Sequence, residues 1–240
     1  TTMTPAALAL AERLTRDCHC IGTDLDALRA QIEGDLRERG LAQPVVESHP
    51  HLFSSAPVFI AHGHAEAMRR IIAAIESVVA APQWQAAVLA DAPAIARLPQ
   101  AARSVFMGYD FHVGAQGPKL IEINTNAGGA FLNAALGRAQ RACCPEVRDW
   151  VTTPVDMHGL DAVLAAMFRE EWRRARGDVP LKRIAIVDTD PSAQYLYPEF
   201  LLAQRLFEAH GIDAVIADPS RFALRDGRLA CDGAAVDLVY

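Results

Sequence analysis

Lysine is nearly missing from this chain. Of its 23 basic residues only Lys119 and Lys182 are lysines, and positive charge is nowhere clustered into a run. With a net charge of −6, the electrostatic footprint of a nucleic-acid binder is lacking, so nucleic acid is not expected as a partner. The arginine excess would suit carboxylate or phosphate recognition, but high genomic GC content produces the same bias and is the preferred explanation. Cysteine is sparse and badly spaced. The five residues Cys18, Cys20, Cys143, Cys144 and Cys231 are odd in number and contain no CxxC pair. That argues against a disulfide framework and a zinc finger, and reduced thiols of a cytoplasmic protein are expected. Cys18-His19-Cys20 lacks the second ligand pair that a tetrahedral zinc site needs. No apolar stretch approaches the length of a membrane span, and no basic segment precedes the apolar start. Neither a membrane partner nor a signal peptide is expected. GxGxxG and Walker patterns are also absent, which argues against a dinucleotide or P-loop site. No internal repeat or low-complexity segment is found.

What is present is a folding composition. Apolar residues make up 51% of 240 residues and charged residues 22%, enough for one large domain or two small ones. The most informative stretch is Met107 to Leu132, MGYDFHVGAQGPKLIEINTNAGGAFL. Tyr109, Phe111 and Val113 alternate with Asp110 and His112, the period of a half-buried strand. Gly114 to Pro118 is a turn cluster. Leu120 to Thr125 returns with Ile121 and Ile123 alternating with Glu122 and Asn124. With Gln116 at the middle of a five-residue loop, Phe111 pairs with Ile121 and Tyr109 with Ile123. The same register sets Asp110 across from Glu122 and Gly108 across from Asn124. Opposed carboxylates destabilise a strand pair unless a cation lies between them or one stays protonated. Glu122 and Asn124 point to one side and offer the oxygens that Mg²⁺ prefers. The strand runs through Asn126 into Gly128-Gly129 and a helix, whose first backbone N–H groups form an anion site. The plainer alternative is a solvated polar face on an amphipathic hairpin.

YDFH…PKLIEINTNAGG resembles the D…IEIN segment of the circularly permuted ATP-grasp ligases. That group holds eukaryotic-type glutathione synthetase and glutathionylspermidine-synthase-like proteins. The resemblance implies Mg²⁺ ligands at Glu122 and Asn124 and a substrate-site aspartate at Asp110. It also implies ATP and Mg²⁺ as cofactors, with a small-molecule carboxylate and amine joined through an acyl phosphate. Two departures matter. The glutathione synthetases carry an arginine where this chain has Gly108, and a serine-bearing turn where it has TNAGG, so a different substrate is implied. The motif covers about 30 residues, with a looser likeness over much of the chain.

The remaining grammar places these residues. Helices are expected from Thr4-Pro5, over about Asp24 to Arg39 with Gly40 as its stop, and over Ala65 to Ala81. The last carries a core stripe of Met68, Ile71, Ile72, Ile75, Val78 and Val79. Val58 to Ile60 reads as a short strand, and His49, His51, His62 and His64 around it read as loop histidines, not metal ligands. A helix follows from Ala130, with Phe131 packed. Asn133 either faces the site or is solvated. Another helix spans about Asp156 to Arg176, with Glu170, Glu171, Arg173 and Arg174 as its solvated face. Gly177 to Pro180 marks a boundary. Beyond it Arg183 to Val187, a helix from Tyr197 to His210, and strands at Asp213 to Ala217 and Val236 to Tyr240 form a parallel βαβ grammar. Phe222 to Cys231 reads as a hairpin around Asp226-Gly227. The strand-end aspartates Asp188, Asp190 and Asp218 are ligand candidates; the plainer alternative is that Asp190 or Ser192 caps a turn or helix and Asp218-Pro219-Ser220 is an ordinary turn.

The expected class is thus α/β. A helical region with an antiparallel hairpin, residues 1–178, carries the metal and substrate site. A Rossmann-like parallel α/β unit follows at 179–240, apparently incomplete. The expected site set is Asp110 and His112 for catalysis, Glu122 and Asn124 for metal, and Asn126, Gly128 and Gly129 for cofactor. The nucleotide-binding half of such a ligase is not found in the sequence. Two other functions compete: a non-catalytic module binding a small anion or protein partner, and a Mg²⁺-dependent phosphoester hydrolase using Asp110 and Glu122.

Overall fold

Each apolar stripe needs a surface to cover, and among the described residues the chain forms helices and three small sheets. The computed structural model describes residues 5–17, 25–38, 49, 51–53, 58–114, 116–143 and 159–240. Thr4, Cys18 to Cys20, Gly40, Cys144 and the connector 145–154 lie outside the described residues. Contacts divide the chain into two units. One comprises Thr1–Cys18 and Ala56–Ala127, the other His19–Ser55 and Gly128–Tyr240. The break expected at Gly177 to Pro180 falls inside the second unit.

In the first unit, α1 (Pro5–Asp17) begins with a proline, whose fixed φ suits the first helical turn. No strand forms at Val58 to Ile60. There the Phe59 N–H donates to the Thr15 hydroxyl at 3.0 Å, so its backbone is satisfied by α1 and not by a ladder. Helix α2 (Leu25–Glu38) belongs to the second unit. Helix α3 (His62–Val79) and α4 (Pro82–Leu89) follow in the first, with Pro82 opening α4. The α3 stripe is half-buried from Met68 to Ile75, but Val78 and Val79 are exposed, so it is core over only part of its length. Among the described residues no single helix is long and apolar enough to cross a membrane. The α3–α4 pair, bent by 68°, passes on length and composition only.

Strands β1 (Gly108–Gly114) and β2 (Gly117–Asn124) form the antiparallel hairpin against α3. Its outer register is the expected one, with Gly108, Tyr109 and Asp110 opposite Asn124, Ile123 and Glu122. Its inner register is not. Phe111 pairs with Leu120 and Gly114 with Gly117, which leaves a two-residue connection. The tight turn uses Gly117 at φ +92°, a conformation natural to glycine. The surplus residue, Ile121, is extruded as a β-bulge and left 67% exposed.

The second unit holds the buried core. Helix α5 (Ala130–Cys143) packs on α2, burying Ile32 and Leu36. Helix α6 (Leu160–Arg176) buries Leu164, Ala165 and Phe168. Glu171, expected on its solvated face, is buried, with Arg174 3.5 Å away. Strand β3 (Arg183–Val187), helix α7 (Tyr197–Ala209) and β4 (Asp213–Ala217) form the parallel crossover. Strands β5 (Phe222–Arg225), β6 (Arg228–Cys231) and β7 (Ala234–Ala235) make an antiparallel sheet. Asp226-Gly227 and Asp232-Gly233 both turn at positive φ, as two-residue hairpins demand. Strand β8 (Leu238–Val239) returns to β3, giving the parallel order β4–β3–β8. The fold is therefore mixed α/β, with parallel and antiparallel sheets.

Four rings close the core. Phe168 meets Phe207 edge-on at 4.7 Å and Tyr240 at 5.1 Å, and Phe131 reaches both Phe207 and Tyr240. Phe168 and Phe207 are fully buried. Truncating Phe168→Ala should cost about 3–5 kcal/mol in urea unfolding, since a cavity adds to the lost transfer energy. A loss below about 1 kcal/mol would mean the ring cluster does not organise this core.

Candidate functional site

The hairpin presents its polar side as Asp110, His112, Lys119, Glu122 and Asn124. Alternation places Asp110 with His112 on β1, and Glu122 with Asn124 on β2. Cross-strand pairing sets Asp110 opposite Glu122 and, past the bulge, His112 opposite Lys119. All five side chains are exposed. Lys119 also donates to the Gln116 side chain at 3.2 Å. This cation was missed in the sequence because an unbroken register puts Leu120, not Lys119, opposite His112. The adjacent apolar pair Leu120-Ile121 was the available signal, since two neighbours on a strand cannot both face inward without a bulge.

The other side anchors the hairpin. The Tyr109 hydroxyl donates to the Glu76 carboxylate of α3. That bond, with burial behind it, pushes the Tyr109 phenol up to about 12. Gly108 stands where space is short. A Cβ there would lie 3.1 Å from the Ala127 Cβ and 3.4 Å from the Asn124 Cβ. An arginine at this position, as in the resembled ligases, would meet the chain leaving β2.

Asn126 is exposed in the turn after β2, and belongs with Asp110, His112, Glu122 and Asn124 to the first unit. Gly128 and Gly129 belong to the second. Gly129 takes φ +90°, and its carbonyl accepts from both the backbone N–H and the side chain of Asn133. Asn133 therefore turns back on its own helix. The start of α5, expected to cradle an external anion, holds a protein carboxylate. Glu199, from the first turn of α7, accepts from the N–H of Phe131 at 3.1 Å and of Leu132 at 2.8 Å. It is 1% exposed. Burial pushes its carboxyl above the ordinary range, while the backbone donors from Gly129 to Leu132 pull it back. Nothing in the sequence around Tyr197-Pro198-Glu199 signals this long-range cap.

At the carboxyl ends of β3 and β4, Asp218 ties two loops together. Its Oδ2 accepts from the Asp190 N–H at 2.9 Å and its Oδ1 from the Ser220 N–H at 2.8 Å. The Ser220 hydroxyl and these two N–H groups hold its carboxyl down at about 2. Asp188 accepts from the Thr189 N–H, and Asp190 sits in the left-handed region at φ +43°. Asp218 thus serves its turn, the plainer of its two sequence readings, and Asp188 likewise accepts from the backbone next to it. The histidines are scattered: His64 is buried, His62 lies 3.9 Å from Glu66, and His49 stacks edge-on against Tyr195. Among the described residues no group of three His, Cys, Asp or Glu is placed to hold a metal ion. Cys231 is a buried free thiol in the cluster with Ala185, Ala217 and Val236.

The sequence matches no family model and no curated protein.

Glu199 and Asp218 act in opposite directions with pH. Glu199 titrates above its unfolded value of 4.5, so its contribution is complete below that pH and declines as pH rises through the folded value. Asp218 titrates below its unfolded 3.8, so its contribution holds above that pH and is lost as pH falls through about 2. Thermal melts across pH should show Glu199→Gln flattening the decline above the ordinary carboxyl range, and Asp218→Asn making the acid limb shallower, Glu170 and Asp232 supplying the rest. Parallel curves for wild type and both variants would refute these assignments.

Proposed function

We propose that this chain carries the metal and substrate face of an ATP-dependent carboxylate–amine ligase of the ATP-grasp kind, working in the cytoplasm. The reading rests on one observation: Asp110 lies directly opposite Glu122, with Asn124 next on the same side. Facing carboxylates repel, and a hard cation is the simplest agent that makes the arrangement favourable. The donor set fits Mg²⁺. The Glu122 carboxylate and the Asn124 amide would supply oxygens of the kind Mg²⁺ prefers, with the Asp110 carboxylate facing them. Bound there, it would supply charge neutralisation for a phosphate.

Glu122 and Asn124 would hold the ion, and Asp110 would orient the substrate. His112, opposite Lys119, would move a proton, while the Lys119 ammonium meets a carboxylate substrate. Asn126 would contribute from the turn. For Gly128 and Gly129 the role narrows to shaping that turn, because the donors at the start of α5 serve Glu199.

That same occupancy favours the second reading, a non-catalytic module that binds a small partner without nucleotide.

Mn²⁺ can stand in for Mg²⁺ in an amide NMR titration. Signals of residues 109–111 and 122–124 should broaden first, and Glu122→Gln should shift that broadening to at least about tenfold higher Mn²⁺. Equal broadening at residues 188–190, or no effect of Glu122→Gln, would sink the metal assignment. Ligand-induced stabilisation indifferent to Mg²⁺ would favour the binding module.

A further inference from the structure

Within the second unit a cleft of about 460 Å³ opens between the last turn of α6, the β5–β6 turn and β8. This lies in the size range of small-molecule sites. Its walls combine apolar surface from Val179, Leu229 and Val239 with two guanidinium groups, Arg176 and Arg228. Val179 and Val239 are both more than half-exposed or nearly so, which leaves apolar surface open to a guest.

The polar groups are held in place. The Trp172 indole N–H donates to the Val179 carbonyl at 2.6 Å, which locks the ring. The Arg176 guanidinium lies over that ring, 5.7 Å from its centroid. This cation–π contact holds the guanidinium near the ring and leaves it N–H groups with which to donate. Arg228 donates to Asp237 Oδ1 at 3.2 Å. The other Asp237 oxygen accepts from the Lys182 and Arg183 backbone N–H groups at 2.9 and 3.1 Å. The single carboxylate of the lining is thus committed to structure, and the two arginines leave the cleft with an excess positive charge. No ion pair to Arg176 is formed among the described residues.

We propose that this cleft binds a small organic anion, a carboxylate or phosphate carried on a flat apolar body. The anionic oxygens would lie on the edges of Arg176 and Arg228, where a guanidinium fork matches their geometry. The body would cover Val179, Leu229 and Val239. Every residue of this cleft belongs to the second unit, whereas the hairpin belongs to the first.

The test is an NMR titration that follows the Trp172 indole N–H signal, assigned by its loss in Trp172→Phe. The probes are benzoate, 4-phenylbutyrate and phenyl phosphate, with 4-phenylbutanamide as the neutral control. At least one anion should shift the signal saturably, and the amide should bind about tenfold or more weakly. Arg176→Gln and Arg228→Gln should each weaken the anion about tenfold, whereas Arg173→Gln, paired with Glu170 on the same helix, should not. Preference for phenyl phosphate over the carboxylates would identify phosphate as the anionic group, and the reverse a carboxylate. No shift with any of the three anions, equal binding of acid and amide, or indifference to Arg176→Gln would each overturn the proposal. Circular dichroism of the arginine variants separates lost binding from lost fold.

Discussion

A carboxylate taken out of water needs replacement donors, and in this protein Glu199 finds them at the start of α5. The first N–H groups of any helix have no partner within it. A helix entered through Gly128 and Gly129 could have offered them to a ligand. Glu199 instead reaches over from α7, accepting from Phe131 and Leu132. The same two helices carry Phe131 and Phe207, which meet edge-on, with Tyr240 completing the group. This interaction thus ties together α5 and α7, the two helices from which Phe131 and Phe207 meet. Removing the Glu199 carboxylate would strand the Phe131 and Leu132 N–H groups, each costing about 1–3 kcal/mol. The arrangement also bears on function, because it uses inside the protein the helix end that an anionic cofactor would have approached.

The hairpin follows a different logic. Its outer half keeps two acids opposed, and its inner half closes through a tight glycine turn. These demands differ by one residue, and Ile121 absorbs the difference. The bulge returns Leu120 to the packed side beside Phe111 and brings Lys119 onto the polar side. A strand that sacrifices one isoleucine to solvent while retaining an unfavourable Asp110–Glu122 pair points to a use for that pair. This is the physical content of the ligase reading.

The aspartates of the second unit show how the same residue type can be purely architectural. Asp218 joins the loops after β3 and β4, and Asp237 fastens the start of β3 while steadying Arg228. Their carboxylates accept backbone N–H bonds, so they stabilise turns and strand ends instead of awaiting a ligand. By contrast Arg176 and Trp172 of α6 line a cleft.

Local rules carried much of this fold into the sequence. Period-2 alternation, Asp-Gly turns, prolines at helix starts and the RIAIV and DAVIA runs specify the hairpins, α3, α6, α7 and the parallel strands through neighbours a few residues apart. The pairing of Asp110 with Glu122 was legible for the same reason: one short turn sets it. What tertiary structure decided were contacts that no local pattern encodes. Glu199 meets α5 across 67 residues, and Phe59 finds Thr15 across 44. Glu171 is buried because of what surrounds α6, not because of its place on the helix. The Ile121 bulge lies between these cases, written in the adjacent Leu120 and Ile121 but decided only when turn and sheet had to close together. Periodicity reports which face a residue occupies, whereas the partner waiting at that face depends on the packing of distant elements.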